Sequence, residues 1–516
     1  MTPPAARSAR DVWRRGLPGA VVFATATILA LLFAPSVSIW TDEAVTISAA
    51  TRSFDELWAL LQRIDAVHAL YYAGMALWTD VFGVSPLALR VPSALAAGAC
   101  ALGAYALTRL LASPTTALLA GLLTATIPRI TWGGIEARPF IFSAAAAVWA
   151  TFLLMRALQR RTRGAWVAYT AVAVLGILTN IYLVMVVATH VLTVLLRARR
   201  DRFSVVGVLL SGAAAGLASL PLLLLVRSQQ AQLGGEGDRS AVSILRKILV
   251  NQVFLGETPD AGSAPAWFGA AWQGAAVAAA LLGLTAITLA VLRPAAAGDR
   301  KADLLAATLP WLILPTVLVA GYAVVAAPIY QPRYFTFTAP AAAILIAVGV
   351  RTLSRRWVAV AGLAVYLVCV SVVFASQRIP FAKSGSDWSA AAYVVAAAAA
   401  PGDAVYFAPR DEVPTGEEVT LTTRRIAQSY PAAFAALDDL TLLRTGADTA
   451  TLDGFSRPLG DGVLPDGVDR VWALYTLNAP DGVFEQSDAV FAAQGFRGTV
   501  RWDGPTTRVV EYERID

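Results

Sequence analysis

Two adjacent carboxylates, Asp42 and Glu43, stand in the stretch SIWTDEAVT, directly after the first long apolar segment of the chain. A carboxylate beside an acceptor hydroxyl can take up its proton and so activate the oxygen for attack, which is general-base catalysis. Charge at a membrane boundary is costly to hold and indicates a functional site by default. The pair is therefore a candidate catalytic centre, and the competing interpretation is a solvated flank of the apolar segment.

Three further stretches carry residue types that suit related chemistry. IDAVHALYY contains an acid, one of the two histidines of the chain and two tyrosines: Asp65, His68, Tyr71 and Tyr72. GIEARPF and YQPRYFTFTAP each place an arginine close to a proline, at Arg138 and Arg333. Arginine binds phosphate oxygens with a bidentate fork and keeps its charge, so it can stabilise a departing phosphate.

The composition places these motifs in a membrane protein. Of 516 residues, 57% are hydrophobic and 15% are charged, whereas an ordinary soluble domain has about 25% charged residues. From Ser376 onward 20 acidic residues face 12 basic ones, a net charge of −8, so that the preceding residues carry +14 of the total of +6. The basic surplus lies in short runs between apolar segments, which is typical of cytoplasmic loops and excludes a nucleic-acid-binding surface.

A helix needs about 20 apolar residues to cross a bilayer. About eleven segments qualify: 18–36, 90–111, 115–130, 139–158, 165–180, 181–197, 204–226, 267–292, 304–326, 335–351 and 357–375. The first is predicted to be a retained span and not a cleaved signal peptide. If the basic run with Arg7, Arg10, Arg14 and Arg15 is cytoplasmic, the later clusters RALQRRTRG, RARRDR, RPAAAGDRK and RTLSRR fall on the same side. The loops 37–89 and 227–267, the short turns TWGGIEARP and APIYQPRY, and the tail then lie on the outer face.

Two outer regions are predicted to fold. In the first outer loop, 37–89, Ser53 and Glu56 form a capping-box pattern ahead of apolar residues at helical spacing, so we expect an interfacial helix with Trp58 near the headgroups. The tail, 376–516, is predicted to be a small α/β domain. Its elements are a helix in SDWSAAAYVVAAAAA capped by Ser386 or Asp387, strands in AVYFAP and DRVWALYTL, and a hairpin in RWDGPTTRVVEYERI.

The side of the membrane limits the donor. No ATP or nucleotide sugar is reliably present outside a cell, so a transferase acting there needs an activated donor held in the lipid. A polyprenyl phosphate carrying a sugar fits, because its tail can occupy a groove between spans, its phosphodiester needs cations, and its sugar needs acids and aromatic stacking. The acceptor hydroxyl, deprotonated by a carboxylate, would attack the anomeric carbon in line with the departing phosphate.

The order of these motifs resembles that of the GT-C superfamily of polyprenyl-phosphate-sugar-dependent glycosyltransferases. TDEA follows the first span, a D-x-x-H segment with YY lies later in the same loop, EARPF precedes the fourth span, and QPRY comes late in the membrane region. The arrangement is similar to the family of protein O-mannosyltransferases, lipid A aminoarabinose transferases and actinobacterial cell-envelope mannosyltransferases. The stretch AVHAL, 66–70, departs from the family's D-x-H-P-P-L-Y-Y form because it lacks the prolines.

The resemblance implies a role for each residue. Asp42 would be the catalytic base, and Glu43 would position it or bind the acceptor. A second set would bind the phosphate and the sugar of the donor: Asp65, His68, Tyr71, Tyr72, Glu136, Arg138, Tyr330, Gln331, Arg333 and Tyr334. The structural alternatives are an interfacial histidine for His68 and aromatic-belt anchors for Tyr71 and Tyr72.

The sequence thus predicts a multi-pass α-helical plasma-membrane protein with a GT-C transmembrane domain over 1–375, a cytoplasmic N-terminus and an extracytoplasmic α/β domain over 376–516. The expected activity is inverting transfer of a monosaccharide, mannose first and arabinofuranose second, from a polyprenyl phosphate to an envelope glycan, glycolipid or protein. The alternative from another class is a flippase or transporter for lipid-linked sugars, which the scarcity of acids within the spans disfavours.

No cofactor is required by this chemistry, and no ligand spacing demands a metal. A divalent cation stays an alternative, because Asp42, Glu43, Asp65 and His68 carry side chains that can bind one. Both cysteines, Cys100 and Cys369, lie within apolar runs, where a thiol behaves as a small hydrophobe and predicts no disulfide.

Overall fold

The computed structural model describes residues 9–198, 200–229, 240–256, 266–296, 298–409, 422–460, 467–477, 479 and 482–515. Arg7 of the basic N-terminal run, and parts of the predicted outer loop 227–267 and of the tail, lie outside the described residues. The chain divides into two compact units. The helical unit comprises Met1–Ala34, Arg90–Glu257 and Trp267–Ser376, and the α/β unit comprises Pro35–Leu89, Thr258–Ala266 and Gln377–Asp516. The division into functional domains at 375/376 stays a prediction.

Each of the predicted spans coincides with helix. The helices are numbered in chain order, and α2–α4 and α17–α20 are described below with the α/β unit. The others are α1 Ala9–Leu31, α5 Pro86–Leu111, α6 Pro114–Thr126, α7 Pro128–Gly133, α8 Phe140–Arg160, α9 Arg163–Thr179, α10 Leu183–Ala198, α11 Arg202–Ser228, α12 Ala241–Arg246, α13 Ala266–Leu292, α14 Lys301–Val325, α15 Ala339–Arg351 and α16 Arg356–Ser376. Within the described residues, 8 helical segments are long and apolar enough to cross a membrane, and α6, α9 and α10 are shorter apolar helices. The predicted fold class, a polytopic helical protein with a C-terminal sheet region, is confirmed.

Breaks between the helices follow local chemistry. Pro128 begins α7 directly after α6, so the predicted segment 115–130 is two helices and not one. The break after α9 falls at Asn180, whose side-chain oxygen accepts a hydrogen bond from the backbone N–H of Tyr182 at 3.0 Å. Such a side-chain turn offers the backbone an alternative to continuing the helix.

Small residues let the central helices approach closely. Every residue of α15 from Ala339 to Gly349 is buried. A Cβ at Gly349 would collide with the backbone carbonyl of Ala286 in α13. Close approach of helix backbones at small residues is the usual way in which helices associate within a membrane. The alanine-rich sequence of α15 therefore makes it a central helix of its unit.

The α/β unit contains a five-stranded sheet in the order β2-β1-β5-β7-β6. Its strands are β1 Ala404–Phe407, β2 Asp438–Asp439, β5 Arg470–Thr476, β6 Phe496–Asp503 and β7 Thr507–Arg514, and a separate pair is formed by β3 Leu442–Arg444 and β4 Phe455–Ser456. Strand β1 is parallel to β2 and β5, whereas β7 is antiparallel to both of its neighbours. The predicted strands and the predicted hairpin coincide with β1, β5 and the β6–β7 pair.

Helices cover both faces of this sheet. Helix α17, Trp388–Ala398, belongs to one apolar cluster with Val405 and Trp472, and helix α20, Val483–Ala493, belongs to another with Tyr406 and Val471. The two faces alternate along the strands, as the two-residue period of a strand requires. Three further helices, α2 Thr41–Ala50, α3 Phe54–Leu61 and α4 Ala69–Phe82, form the first-loop part of the unit, and the short helices α18 Arg425–Ser429 and α19 Gly446–Thr449 lie between the strands.

Of the two predicted helix caps, one is confirmed in full and the other, at Ser386 or Asp387, is confirmed in position only. Ser53 and Glu56 form both hydrogen bonds of a capping box at the start of α3, and Trp58 is 64% exposed on that helix. At the start of α17 Asp387 occupies the N-cap position, but its side chain makes no cap hydrogen bond. Its oxygens instead accept from Trp502, Thr506 and Thr507 around the β6–β7 turn. The local sequence could not reveal these distant donors.

Candidate functional site

The first motif lies at the start of α2. That helix begins at Thr41, so Asp42 and Glu43 are both in its first turn, where the helix dipole favours negative charge. The two neighbours differ sharply in environment. Glu43 is fully buried and its Oε1 lies 2.8 Å from Nζ of Lys383, which is also fully buried, whereas Asp42 is only half-buried. Of the two carboxylates, Asp42 is thus the one that solvent can reach.

The second motif forms one cluster in the same unit. The hydroxyl of Tyr72 donates a hydrogen bond to Oδ2 of Asp65 at 2.9 Å. The ring of Tyr72 lies 5.7 Å from that of His68 and 6.1 Å from that of Tyr71. The backbone of Asp65 is left-handed, with φ 58° and ψ 23°, and starts a short 3-10 turn over Ala66–His68. Asp tolerates this conformation better than most residues, and the turn that follows it, in the stretch AVHAL, contains no proline.

The third motif is more buried than its sequence suggested. The expected short turn is helical in its first three residues, which belong to α7, and every residue from Ile127 to Phe140 is buried. Glu136 and Arg138 are 1% and 8% exposed. The carbonyl of Glu136 accepts hydrogen bonds from Oγ of Ser93 at 2.7 Å and from the backbone N–H of Arg138 at 2.8 Å. Two oppositely charged side chains are therefore held by a fixed backbone in a site largely shielded from water.

The fourth motif adjoins the third within the helical unit. A 3-10 helix, Pro332–Thr338, follows Gln331, whose backbone is extended. The ring of Tyr334 lies 5.6 Å from that of Phe140 and stacks on Tyr182 at 6.0 Å. The guanidinium of Arg333 lies 5.8 Å from the centre of the Tyr334 ring. Gln331, Arg333 and Tyr334 are half-buried, whereas Tyr330 is buried.

Gln252 is a further residue that the sequence did not identify. The hydroxyl of Tyr330 donates to its Oε1 at 2.6 Å, and its amide nitrogen donates to the hydroxyls of Thr316 and Thr338, both at 2.9 Å. Desolvation by burial raises the pKa of Tyr330, so that the phenol stays protonated and acts as a donor. Gln252 thereby fixes Tyr330, the residue directly before the QPRY stretch.

The backbone that carries Gln252 is unusual. Lys247–Leu255 is a π-helix of 9 residues. This type of helix is rare in proteins, and the examples that occur are often found at functional sites. Its carbonyls at Asn251 and Gln252 accept from Nη2 and Nε of Arg129 at 2.7 and 3.2 Å. Arg129 belongs to α7, so the π-helix connects the element before the third motif to the fourth. No apolar periodicity in the sequence distinguishes a π-helix from an α-helix.

Lys383 is the second residue that the sequence did not single out. It lies in the turn segment 377–387, far along the chain from its partner Glu43. A single lysine in a mostly polar connection has no local pattern that indicates a buried ion pair. Only the folding of the first loop against the tail, inside the α/β unit, brings the two charges together.

The candidate residues fall into two groups. The α/β unit holds Asp42, Glu43, Asp65, His68, Tyr71 and Tyr72, and the helical unit holds Glu136, Arg138, Tyr330, Gln331, Arg333 and Tyr334. The first group offers carboxylates and phenols, and the second offers two arginines among aromatic rings. Among the described residues, no group of three or more His, Cys, Asp or Glu side chains is arranged to hold a metal ion.

Comparisons with known proteins give one family and several structures. Residues 69–224, under a third of the chain, match the family described as dolichyl-phosphate-mannose-protein mannosyltransferase. No curated protein matches the sequence. Among solved structures, ArnT from Cupriavidus metallidurans in the apo state is similar with a TM-score of 0.56 at 13% identity, and the alignment covers 98% of this chain and 98% of that one.

Two other structures extend the likeness. ArnT from the same organism bound to undecaprenyl phosphate has a TM-score of 0.50 at 13% identity over 95% of this chain and 97% of that chain. The arabinofuranosyltransferase AftD from Mycobacteria has a TM-score of 0.51 at 16% identity, over 99% of this chain and 42% of that chain. At these identities the likeness establishes the fold.

Proposed function

We propose, from the GT-C fold that this chain has, that it is an inverting glycosyltransferase acting on the outer face of the membrane. It moves a monosaccharide from a polyprenyl phosphate to an acceptor of the cell envelope, which is a lipoglycan, a glycolipid or a protein. The family matched by residues 69–224 supports mannose and a dolichyl-type phosphate donor. The structure of ArnT with undecaprenyl phosphate supports a long-chain prenyl phosphate as the lipid.

The observation that carries the proposal is the difference between the two adjacent carboxylates. A general base must reach the acceptor hydroxyl, and Asp42 is half-buried whereas Glu43 is fully enclosed and paired with Lys383. An enclosed, paired carboxylate is a poor proton acceptor for an incoming substrate. The chain therefore has one accessible acid in the first turn of α2, and we assign the base to Asp42.

The reaction needs one proton transfer and one displacement. Asp42 takes the proton of the acceptor hydroxyl, and the oxygen attacks the anomeric carbon of the sugar. The bond between that carbon and the phosphate oxygen breaks with inversion, and its electron pair leaves with the polyprenyl phosphate. Arg138 and Arg333 bind the phosphate and compensate the charge that develops on it.

The remaining residues position the donor. Asp65 and His68 bind sugar hydroxyls, and Tyr71, Tyr72 and Tyr334 provide ring surfaces against which a sugar or a prenyl chain can lie. Glu136 contributes to the donor site together with Arg138, and the hydrogen bond from the Arg138 backbone N–H to the Glu136 carbonyl fixes the turn that carries both side chains. Tyr330 and Gln331 hold the turn that carries Arg333.

The topology is also a proposal. The protein is a multi-pass protein of the plasma membrane, with its basic loops in the cytoplasm and the active site and the α/β domain outside. The domain over 376–516 binds or gates the acceptor, and the domain over 1–375 holds the donor. The reaction uses no cofactor.

Arabinofuranose is the second candidate sugar. The fold is shared with AftD, described as an arabinofuranosyltransferase, over 99% of this chain. The chemistry at Asp42 is the same for both sugars, since each donor is a glycosyl phosphodiester of a polyprenol. The two sugars differ only in the contacts that their ring hydroxyls make, and the residues that make these contacts are Asp65 and His68.

The test compares donors on the purified protein in lipid nanodiscs. Radiolabelled polyprenyl phosphomannose and the arabinofuranosyl donor are each incubated with an extract of envelope acceptors. Transfer of label to an acceptor, dependent on the protein, supports the proposal and identifies the sugar. Silence with both donors, together with movement of the lipid-linked sugar across a vesicle bilayer, would contradict it in favour of a flippase.

A further inference from the structure

An ion pair inside the α/β unit joins the first turn of α2 to the turn segment 377–387. Nζ of Lys383 lies 2.8 Å from Oε1 of Glu43, and both side chains have 0% exposure. Taking two charges out of water is expensive, and a buried pair often adds little to stability compared with an apolar pair of the same size. Its location directly beside the candidate base is therefore better explained by positioning than by stability.

Four hydrogen bonds join the residues just before α2 to the turn segment 377–387 and to the tail beyond it. Three of them are Ser38 N to the carbonyl of Pro380 at 2.8 Å, Oγ of Ser386 to the carbonyl of Ile39 at 2.7 Å, and the backbone N–H of Ser389 to Oγ of Ser38 at 3.1 Å. A fourth runs from the backbone N–H of Ile39 to the hydroxyl of Tyr430 at 2.9 Å. We call this set, with the Glu43–Lys383 pair, the clasp. It fixes the chain that leads into α2 on both sides of Trp40.

The turn that presents Lys383 has an unfavourable backbone. Ser384 and Gly385, which follow it, both have positive φ, at 51° and 73°. A left-handed conformation costs free energy at a residue with a Cβ such as Ser384, and it persists only where the surroundings hold it in place. The local chain is thus held in a shape that its own preferences would not select, and that shape delivers the lysine to Glu43.

We propose that Lys383 and Glu43 are positioning residues for Asp42. The inference rests on the proposed function, since it concerns the base of that reaction. Lys383 compensates the charge of Glu43 and holds the first turn of α2, so the Asp42 carboxylate keeps one direction relative to the acceptor. Glu43 is then neither a second base nor an acceptor ligand, and the segment after the last span contributes directly to turnover.

The test is a double-mutant cycle on the full-length protein in nanodiscs, with Lys383→Met, Glu43→Gln and the combined variant. When the Asp42 carboxylate is no longer held in one orientation, turnover suffers more than donor binding does. We therefore expect kcat to fall about a hundredfold in each single variant, while the KM for the lipid-linked donor stays within about threefold of the wild-type value. The combined variant loses no more than the worse single variant, because both side chains act through one interaction. Lys383→Arg, which keeps the charge, retains most of the activity.

The matched control is Arg470→Met. Arg470 pairs with Asp403 at 3.0 Å and Glu511 at 3.2 Å in the sheet, so its loss weakens the same unit without touching the clasp. Its kcat per folded molecule is expected to match that of the wild type. Equal falls in Arg470→Met and Lys383→Met, or losses that multiply in the combined variant, would overturn the positioning role. If the single variants do not fold, a folded combined variant with wild-type kcat overturns it as well.

A measurement without substrate separates this inference from the proposed function. Amide hydrogen exchange of residues 38–50 is expected to be faster in Lys383→Met than in the wild type, with β5 and β7 unchanged, because the clasp opens locally. Unchanged exchange over 38–50 would overturn the clasp whatever the activity. Faster exchange in a protein that transfers no lipid-linked sugar supports the clasp and overturns the glycosyltransferase assignment.

Discussion

The hydroxyl of Tyr330 donates a hydrogen bond of 2.6 Å to Oε1 of Gln252, and the amide nitrogen of the same glutamine donates to two threonine hydroxyls. One buried side chain thus connects the π-helix, α14 and both ends of the stretch 330–338, which contains QPRY. Because a leucine at position 252 would satisfy none of these groups, each stranded partner would cost about 1–3 kcal/mol.

We expect Gln252→Leu to lower the apparent Tm in detergent and to raise the KM for the donor, since the turn with Arg333 loses its anchor. Thermal unfolding followed by tryptophan fluorescence and initial rates over a donor series measure both quantities. Gln62→Leu, at an exposed position that ends α3, is the control. A Gln252→Leu protein that matched this control in both measurements would remove Gln252 from the site.

Substituting Arg138 or Arg333 with lysine tests the phosphate contacts. Lysine keeps the charge but loses the bidentate fork, so we expect the KM for the donor to rise and kcat to fall, together by about tenfold or more in kcat/KM. Arg63→Lys serves as control, because Arg63 is exposed and its Nη1 donates to the backbone carbonyl of Thr449 at 3.1 Å, a contact that belongs to the α/β unit and not to the proposed phosphate site. Lysine variants of Arg138 and Arg333 with unchanged kcat/KM would contradict a bidentate contact to the phosphate.

Asp387 is expected to stabilise the α/β unit and not the transfer reaction itself. Its oxygens accept from Nε1 of Trp502 at 3.0 Å, from Oγ1 of Thr506 at 2.6 Å and from the backbone N–H of Thr507 at 3.2 Å. Asp387→Ala leaves these donors unsatisfied and should destabilise by about 2–4 kcal/mol, seen as a lower Tm. Asp469→Ala, whose side chain is 86% exposed, should unfold like the wild type; equal Tm values for both variants would show that the hydrogen bonds at Asp387 contribute little.

Buried tyrosines predict how stability depends on pH. Burial raises the pKa of Tyr406 to about 12 and also raises the pKa values of Tyr475 and Tyr512. In the unfolded chain these phenols ionise near pH 10, so above about pH 10 the unfolded state binds fewer protons than the native state and stability falls as pH rises. Below about pH 9 these groups contribute no pH dependence.

The Tm measured from pH 8 to 11 checks this sign. We expect a plateau followed by a decline that is shallower in Tyr475→Phe, which removes one of the ionising groups. Tyr393→Phe, at a position 75% exposed in α17, should decline like the wild type. A Tm that rose with pH in this range would contradict the direction of the shifts.

The sequence predicted the fold through its strongest patterns. Long apolar segments and the order of four motifs were sufficient for the GT-C fold and for the class of a helical membrane protein with a C-terminal sheet, and both are confirmed. The capping box at Ser53 and Glu56 was readable because both of its hydrogen bonds are local. Signals of this kind depend on residues a few positions apart.

The features that could not be predicted from the sequence depend on contacts between residues far apart in the chain. Asp387 has the sequence position of a helix cap, yet its partners come from the β6–β7 turn. Lys383 and Gln252 have no local pattern, because the groups they bind are brought to them by folding. The roles of the candidate site residues stay predictions, with the half-buried Asp42 beside the buried Glu43 as the feature that the structure adds to them.

The most direct test of the central claim is transfer of labelled sugar by Asp42→Asn in nanodiscs, with Asp55→Asn as the matched control. Asp55 is an exposed acid in the first turn of α3 in the same loop, so its loss removes the same charge without removing the base. We expect kcat to fall by about 10²–10⁴ in Asp42→Asn, with donor binding kept, and to stay near the wild-type value in Asp55→Asn. Equal rates of transfer in the two variants and the wild type would contradict Asp42 as the catalytic base.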